Sequence, residues 1–306
     1  MHCIRPIKAA YDVNGNLTYN NKLASKELVG IQFECRKCLP CRLNTAREKA
    51  IRCVHEASQH ENNIFLTLTY NEENLKSPRL IYKDWQDFAK RLRESTSNKI
   101  TYMVTGEYGE QKKRPHWHAI LFNYRPNDEN LKYISDRGDR VYNSQNLDAL
   151  WSQGASEYGE VSIDSAGYVA RYAAKKLTHG KDQEHDYHPL HKTSSKRAIG
   201  RSWIELYHEH TFQNGFIVLP NGQRSKIPRY YVDWAKKHNY ELWKHYVSHV
   251  RPNIQTLTIE KSRNEELEFL SNLISYKGGK YPLTRPQVKE TILKLKFKHL
   301  QENLKL

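Results

Sequence analysis

The chain has 306 residues, 38% of them hydrophobic and 27% charged, with a mean hydropathy of -0.85, which fits one large or two small domains with a modest core under a broad polar surface. A formal net charge of +15 and a pI near 9.4 point to a polyanionic partner, because a basic face gains free energy by releasing phosphate counterions. No stretch approaches the length of a transmembrane helix, and Met1-His2-Cys3-Ile4-Arg5 lacks a signal peptide's apolar run, so the expectation is no membrane and residence in a cytoplasm.

Five cysteines are an odd number, which argues against a complete disulfide framework. Cys35-x-x-Cys38-x-x-Cys41 is tight, and Cys3 could add a fourth thiolate for a tetrahedral structural zinc. Two alternatives stay open. One is an iron–sulfur cluster, although Thr45 and Ala46 stand where the next cysteine and proline would fall. The other is free thiols around a turn. From Arg42 to about Ser58, Leu43, Ala46, Ala50, Val54 and Ala57 recur at threes and fours, which predicts a helix. Cys53 lies by that stripe and reads as a small buried residue. Arg42, Arg47, Lys49 and Arg52 occupy the opposite face, where they follow a DNA backbone or are simply solvated.

Ile64 to Tyr70 alternates apolar and polar residues and predicts a strand. After Pro78, Trp85, Phe88, Ala89 and Leu92 form one face of a helix from Tyr82 to Glu94 that should cover a sheet face. Ile100 to Thr105 predicts a second strand, which runs through Gly106-Glu107-Tyr108-Gly109 and a polar link into a third, Arg114 to Phe122. On that third strand His116 and His118 share a face and Trp117 takes the other. Two imidazoles on one face make a natural metal site, or else a solvated pair. Glu107 ends the neighbouring strand, within cross-strand reach. Two histidines and a carboxylate form a three-ligand set with open positions for substrate oxygens. The order strand, helix, strand, hairpin, strand predicts an α+β fold with a central antiparallel sheet flanked by helices.

Tyr124 to Gly154 is polar with a short helix near Leu147 to Trp151, and Glu157 to Ile163 predicts another strand. Asp164 and Ser165 then offer a cap for a helix through Leu177. On that helix Tyr168 and Tyr172 stand one turn apart on one face, with Lys175 three residues further. Packing residues on an amphipathic helix would show the same spacing. Between His179 and His191 four histidines lie among acids, read as a loop; Lys192 to Arg201 is basic and hydroxyl-rich, a phosphate-contacting loop. Phe216 to Gln223 predicts a hairpin around Pro220-Asn221-Gly222, and Pro228-Arg229-Tyr230-Tyr231 suits stacked bases or packing. Beyond Trp243 the chain becomes a charged helical tail in two pieces around Gly278-Gly279.

His116-Trp117-His118 followed by Tyr168-x-x-x-Tyr172-x-x-Lys175 resembles the HUH endonucleases, which nick DNA with a tyrosine. The narrower resemblance is to replication initiators of small single-stranded DNA phages of the microvirus group, the gokushovirus type, and runs from about Cys35 to Tyr231. It implies a glycine where Arg36 stands. For this chain it implies an HUH motif on a core strand and a helix carrying the nucleophiles Tyr168 and Tyr172 with Lys175. His116, His118 and Glu107 would hold Mg²⁺ or Mn²⁺, and Cys3, Cys35, Cys38 and Cys41 a structural Zn²⁺. DNA contacts would come from Arg42, Arg171, Lys176, Lys196, Arg197, Arg201 and Arg229.

The expected division is a cysteine segment and helix over 1–60, a nuclease core over 61–200 and a basic helical extension over 201–306. The expected activity is nicking and joining of single-stranded DNA at a phage origin, in the cytoplasm of a bacterial host and together with its replication machinery. An HUH transposase or relaxase and a non-catalytic, metal-stabilised nucleic-acid-binding module are the alternatives.

Overall fold

A computed structural model of the protein describes residues 3, 7–23, 31–109, 112–136, 138–175, 190–194, 197–274, 288 and 291–295. In chain order the first elements are β1 (Ile7–Tyr11), β2 (Leu17–Thr18), β3 (Ile31–Phe33), α1 (Leu39–Ala57), β4 (Asn63–Thr69) and α2 (Tyr82–Glu94). Next come β5 (Thr101–Tyr108), β6 (Pro115–Phe122), β7 (Asn130–Ile134), β8 (Arg140–Asn143), α3 (Gln145–Trp151), β9 (Ser156–Gly159), α4 (Ile163–Lys175) and β10 (Leu190–Thr193). The last are α5 (Arg201–Asn214), β11 (Ile217–Val218), β12 (Arg224–Ser225), α6 (Arg229–His238), α7 (Tyr240–His245) and α8 (Arg251–Ile274), with a π-helical turn at Tyr246–Val250. The chain divides into two compact units, Arg42–Tyr207 and Met1–Cys41 with His208–Leu306.

The α+β expectation holds. In the unit Arg42–Tyr207 seven strands form an antiparallel sheet in the order β10-β5-β6-β4-β9-β8-β7, with β4 in the middle. The alternation along β4 buries Ile64, Leu66 and Leu68 completely. On that face they join Val104, Trp117, Ala119 and Leu121 under the apolar side of α2 and under Leu147 and Trp151 of α3. Each large apolar side chain buried there is worth roughly 1.5–3 kcal/mol. Trp117 fits because its cross-strand partner is Gly106, where an added Cβ would come within 2.6 Å of the indole ring. The other face packs Met103, Ile120 and Phe122 against Ala46, Ala50 and Cys53 of α1 and Ala166, Val169 and Ala170 of α4.

Several local expectations change. Asp164 lies inside α4, and the cap is Ser162, whose Oγ accepts from Ser165 N (3.1 Å) while Ser165 Oγ accepts from Ser162 N (2.8 Å), a reciprocal arrangement that satisfies both amides. The segment from Leu190 to Thr193, read as loop, is edge strand β10 paired with β5; residues 179–189 lie outside those described. On α1, Arg52 is not free to track a backbone with all its donors, since Nε donates to the Ile199 carbonyl at 2.9 Å.

In the unit Met1–Cys41 with His208–Leu306 the sheet order is β2-β1-β3. Tyr11 of β1 meets Phe33 of β3 and Trp243 of α7 edge-on, at ring separations of 5.6 and 5.3 Å. Tyr231 of α6 is fully buried, which makes it a packing residue and not a platform for bases. Arg36 has φ +59°, the left-handed conformation that favours glycine, as the family resemblance implies for that position.

Candidate functional site

The β5–β6 register sets Glu107 opposite His116 and Thr105 opposite His118, and β4 brings Thr69 and Thr67 beside the same two histidines. The three expected ligands therefore converge. Glu107 Oε1 lies 3.1 Å from His116 Nε2 and 2.9 Å from His118 Nε2, and one ligand atom from each of the three falls within 4.8 Å of the others. Each imidazole is held from behind. His116 Nδ1 meets the Arg114 carbonyl at 3.2 Å, and His118 Nδ1 meets Thr67 Oγ1 at 3.0 Å. Such outer contacts fix the ring and point Nε2 at the shared centre. Glu107 and His118 are buried. Burial pushes the Glu107 carboxyl up, but hydrogen bonds from His116 and His118 outweigh it and hold the group at about 2. Burial also pulls His118 below the usual imidazole range, against the carboxylate that favours its charged form. The result is an ionised carboxylate beside a neutral imidazole, the states that ligate. The donor set fits a divalent cation; by chemistry alone it suits zinc as well as Mg²⁺ or Mn²⁺.

Thr67 and Thr105 are site residues that the sequence reading passed over. Their signal was present: each shares a strand face with the centre by simple alternation. Thr105 is fully buried and does two further things. Its Oγ1 lies 2.9 Å from His191 Nδ1 of β10 and donates to the Val169 carbonyl of α4 at 3.3 Å. The helix carrying Tyr168 and Tyr172 is thereby fastened to the sheet face that bears Glu107, His116 and His118. The backbone of α4 is described through Lys175, whereas the side chains of Tyr168, Arg171, Tyr172 and Lys175 lie outside what is described.

The cysteines also converge, at the head of α1. Cys35 Sγ and Cys41 Sγ are 4.0 Å apart, and Cys38 Sγ and Cys3 Sγ 3.9 Å. Sulfurs placed 2.3 Å from a tetrahedral zinc would stand about 3.8 Å from one another, whereas a disulfide needs about 2.05 Å. The amide of Cys38 donates to Cys35 Sγ at 3.4 Å and lowers that thiol to about 6, with the Lys37 amide adding to the effect against the cost of burial. Cys41, buried, is pushed up by its burial. Cys53 is buried away from this group, 3.8 Å from Met103 Sδ, and its thiol is pushed up to about 12 by burial.

Of the expected DNA-contacting cations, Arg42 is half-buried and Arg197 exposed. Exposed Arg201 and Arg229 reach Glu205 and Asp233 at 2.7 and 3.2 Å. Lys176 and Lys196 lie outside the described residues. Among the described residues no helix is long and apolar enough to cross a membrane.

The sequence profile of a family described as replication-associated proteins of the ORF2 type matches residues 63–177, the stretch from β4 to just past α4. Replication-associated protein VP4 of Bdellovibrio phage phiMH2K is 54% identical over 315 aligned residues, covering 100% of both chains. Replication-associated protein ORF4 of Chlamydia phage 1 is 35% identical, over 66% of this chain and 53% of its own length. Replication-associated protein ORF2 of Spiroplasma virus 4 is 29% identical, over 73% of this chain and 70% of its own. No solved structure matches the chain.

Proposed function

The chain belongs to the family of phage replication-associated proteins, and on that premise we propose that it starts rolling-circle replication by nicking and rejoining single-stranded DNA at a phage origin. The observation that carries this reading is the fastening of the tyrosine helix to the face of the Glu107, His116 and His118 centre, through Val169 and Thr105. A phosphodiester repels an incoming phenolate. Glu107, His116 and His118 would hold Mg²⁺ or Mn²⁺, and the ion when bound supplies positive charge to the non-bridging oxygens of the scissile phosphate.

The rest of the reaction falls to the chain. A tyrosine hydroxyl loses its proton, its oxygen bonds to phosphorus, and the bond from phosphorus to the 3′ oxygen breaks. The 3′ oxygen takes up a proton, leaving a free 3′-hydroxyl and a 5′-phosphotyrosine. An ordinary tyrosine ionises near pH ~10, so the positive charge of Lys175 has a role in favouring the phenolate. The phosphotyrosine link keeps the energy of the broken bond, and attack by a 3′-hydroxyl reverses the step. With Tyr168 and Tyr172 one turn apart, one can hold the old end while the other cuts the regenerated origin.

Arg42, Arg171, Lys176, Lys196, Arg197, Arg201 and Arg229 act on the strand's phosphates, within a chain of net charge +15. Cys3, Cys35, Cys38 and Cys41 hold a structural zinc. The host replication machinery extends the freed 3′ end.

The test is a labelled origin-strand oligonucleotide incubated with Mn²⁺ and followed as a denaturant-stable protein–DNA adduct. Single Tyr168→Phe and Tyr172→Phe variants should each retain some cleavage, the defect being stronger for Tyr172→Phe, and the double variant should form no adduct. An adduct in the double variant places the nucleophile elsewhere and ends the proposal.

A further inference from the structure

Beside the centre, on the same sheet face, lies a cavity of about 280 Å³ that the nicking chemistry leaves without a role. Its floor is apolar: Cys53 of α1, Met103 of β5 and Ile199, all buried. Its walls are basic and polar: Lys49 and Arg52 from α1, and His191, Lys192 and Thr193 from edge strand β10. Among the described residues no carboxylate lines it. Three cationic side chains around an apolar floor match one ligand chemistry well, a flat heteroaromatic ring bearing a phosphate. The volume lies just under the roughly 300 Å³ at which small-molecule sites begin, which limits the occupant to a single nucleotide unit.

The position matters as much as the lining. Met103, Thr105 and Glu107 follow one another at alternate positions on β5, and His191 pairs with Thr105. At ~3.4 Å of rise per residue, the cavity floor at Met103 lies ~13 Å along the strand from Glu107. A DNA strand engaged at the centre would pass this opening close to the scissile phosphate, but not at it.

We propose that this cavity takes one unstacked nucleotide of the DNA strand, its base on Met103, Cys53 and Ile199 and its phosphate among Lys49, Arg52, Lys192 and Thr193. The inference rests on the reading of the chain as a single-stranded DNA enzyme and extends it with a site of base capture. Withdrawing a base from its neighbours loses stacking, and a fitted apolar floor with charge-assisted hydrogen bonds to the phosphate offsets that loss. The capture fixes the strand's register, so that one phosphate and not its neighbours reaches Glu107, His116 and His118. The burial that lowers Lys49 to about 8 accords with a cation kept in a pocket and not on a solvated face.

The test separates the cavity from the chemistry by working in chelator, where no nicking occurs. Single-stranded origin oligonucleotides are prepared with 2-aminopurine at each position in turn, and fluorescence is read on adding the intact protein. One position, at a fixed distance from the nick, should brighten several-fold, and Thr193→Trp, which fills the mouth, should abolish that signal. Lys49→Glu should weaken binding by about tenfold. Lys90→Glu, the same charge change on the far face in α2, should weaken it by about twofold or less. Circular dichroism melts check that each variant is folded. A uniform response along the strand, or equal losses for Lys49→Glu and Lys90→Glu, overturns the proposal. Adduct formation in Mn²⁺ is scored separately: a position-specific signal in protein that forms no adduct would support the cavity while removing the nicking reading.

Discussion

Two clusters of ligating side chains are built in opposite ways. Glu107, His116 and His118 stand on neighbouring strands deep in a seven-stranded sheet, and Thr67 and the Arg114 carbonyl hold the imidazoles. Their geometry is supplied by ladder hydrogen bonds and a packed core, so it exists before any ion arrives. Cys35, Cys38 and Cys41 lie on a turn running into α1, and their fourth partner, Cys3, comes from 32 residues before Cys35. Among the described residues that turn includes Arg36 in a left-handed conformation, a cost for a residue with a Cβ. One cluster is positioned by the fold. The other must help to position the chain, which is the difference between a site that acts and a site that braces.

That contrast can be broken in three places. The largest effect is expected at the cysteines, because structural zinc contributes on the order of 10 kcal/mol to folding in small metal domains. Cys41→Ser, or a strong chelator, should lower the melting temperature by more than about 10 °C, and native mass spectrometry should lose one bound ion. Active protein without bound zinc or iron would abolish the distinction.

Next comes the histidine centre. His116→Ala or His118→Ala should cut nicking at least ~1,000-fold, equivalent to ~4 kcal/mol in the transition state. DNA affinity should stay within about threefold, since phosphate contacts supply most of it, and the melting temperature should fall by only a few degrees. A collapse of stability here as deep as at the cysteines would make both centres structural.

The smallest is a pH effect that belongs to neither. Burial holds His55 near 4 instead of 6.5, with its ring stacked on Trp203 at 3.6 Å. A depressed histidine favours the neutral form in the fold. Its contribution is complete above pH 6.5 and is lost as the pH falls towards 4, by up to ~3 kcal/mol. Denaturant melts of wild type and His55→Phe across that window should converge in slope only if another group is responsible. A shallower acid decline in the variant isolates this loss from acid release of metal.

Much of the histidine centre was legible because a strand's period is two. His116, His118 and Glu107 could be placed on one face from alternation and a hairpin alone. The outlying strands were not. Leu131, Tyr133 and Ile134 of β7 are exposed, so no buried face imposes a pattern on that hairpin. In β10, Leu190-His191-Lys192-Thr193 reads as loop, and its strand conformation comes from ladder bonds to β5. Cys3 could be enlisted by counting thiols. The hydroxyls of Thr67 and Thr105 were overlooked since threonine is a common strand former without any site nearby. Ser162 prevailed over Asp164 as cap because the helix begins one residue earlier than the acid suggests.

The pairing of Gly106 with Trp117 has one more consequence, for how such a chain can change over evolutionary time. The indole that fills the core and the two imidazoles that flank it in sequence occupy consecutive positions on β6, so their faces cannot be chosen separately. A single inserted or deleted residue within the strand would turn the tryptophan towards solvent and bury both histidines. The link between Gly109 and Arg114 lies outside the ladder and is closed by the Gly109 amide donating to the Arg114 carbonyl at 2.9 Å. Lineages can therefore lengthen or rewrite that link, while the eight residues of the strand itself pass on as one indivisible inheritance.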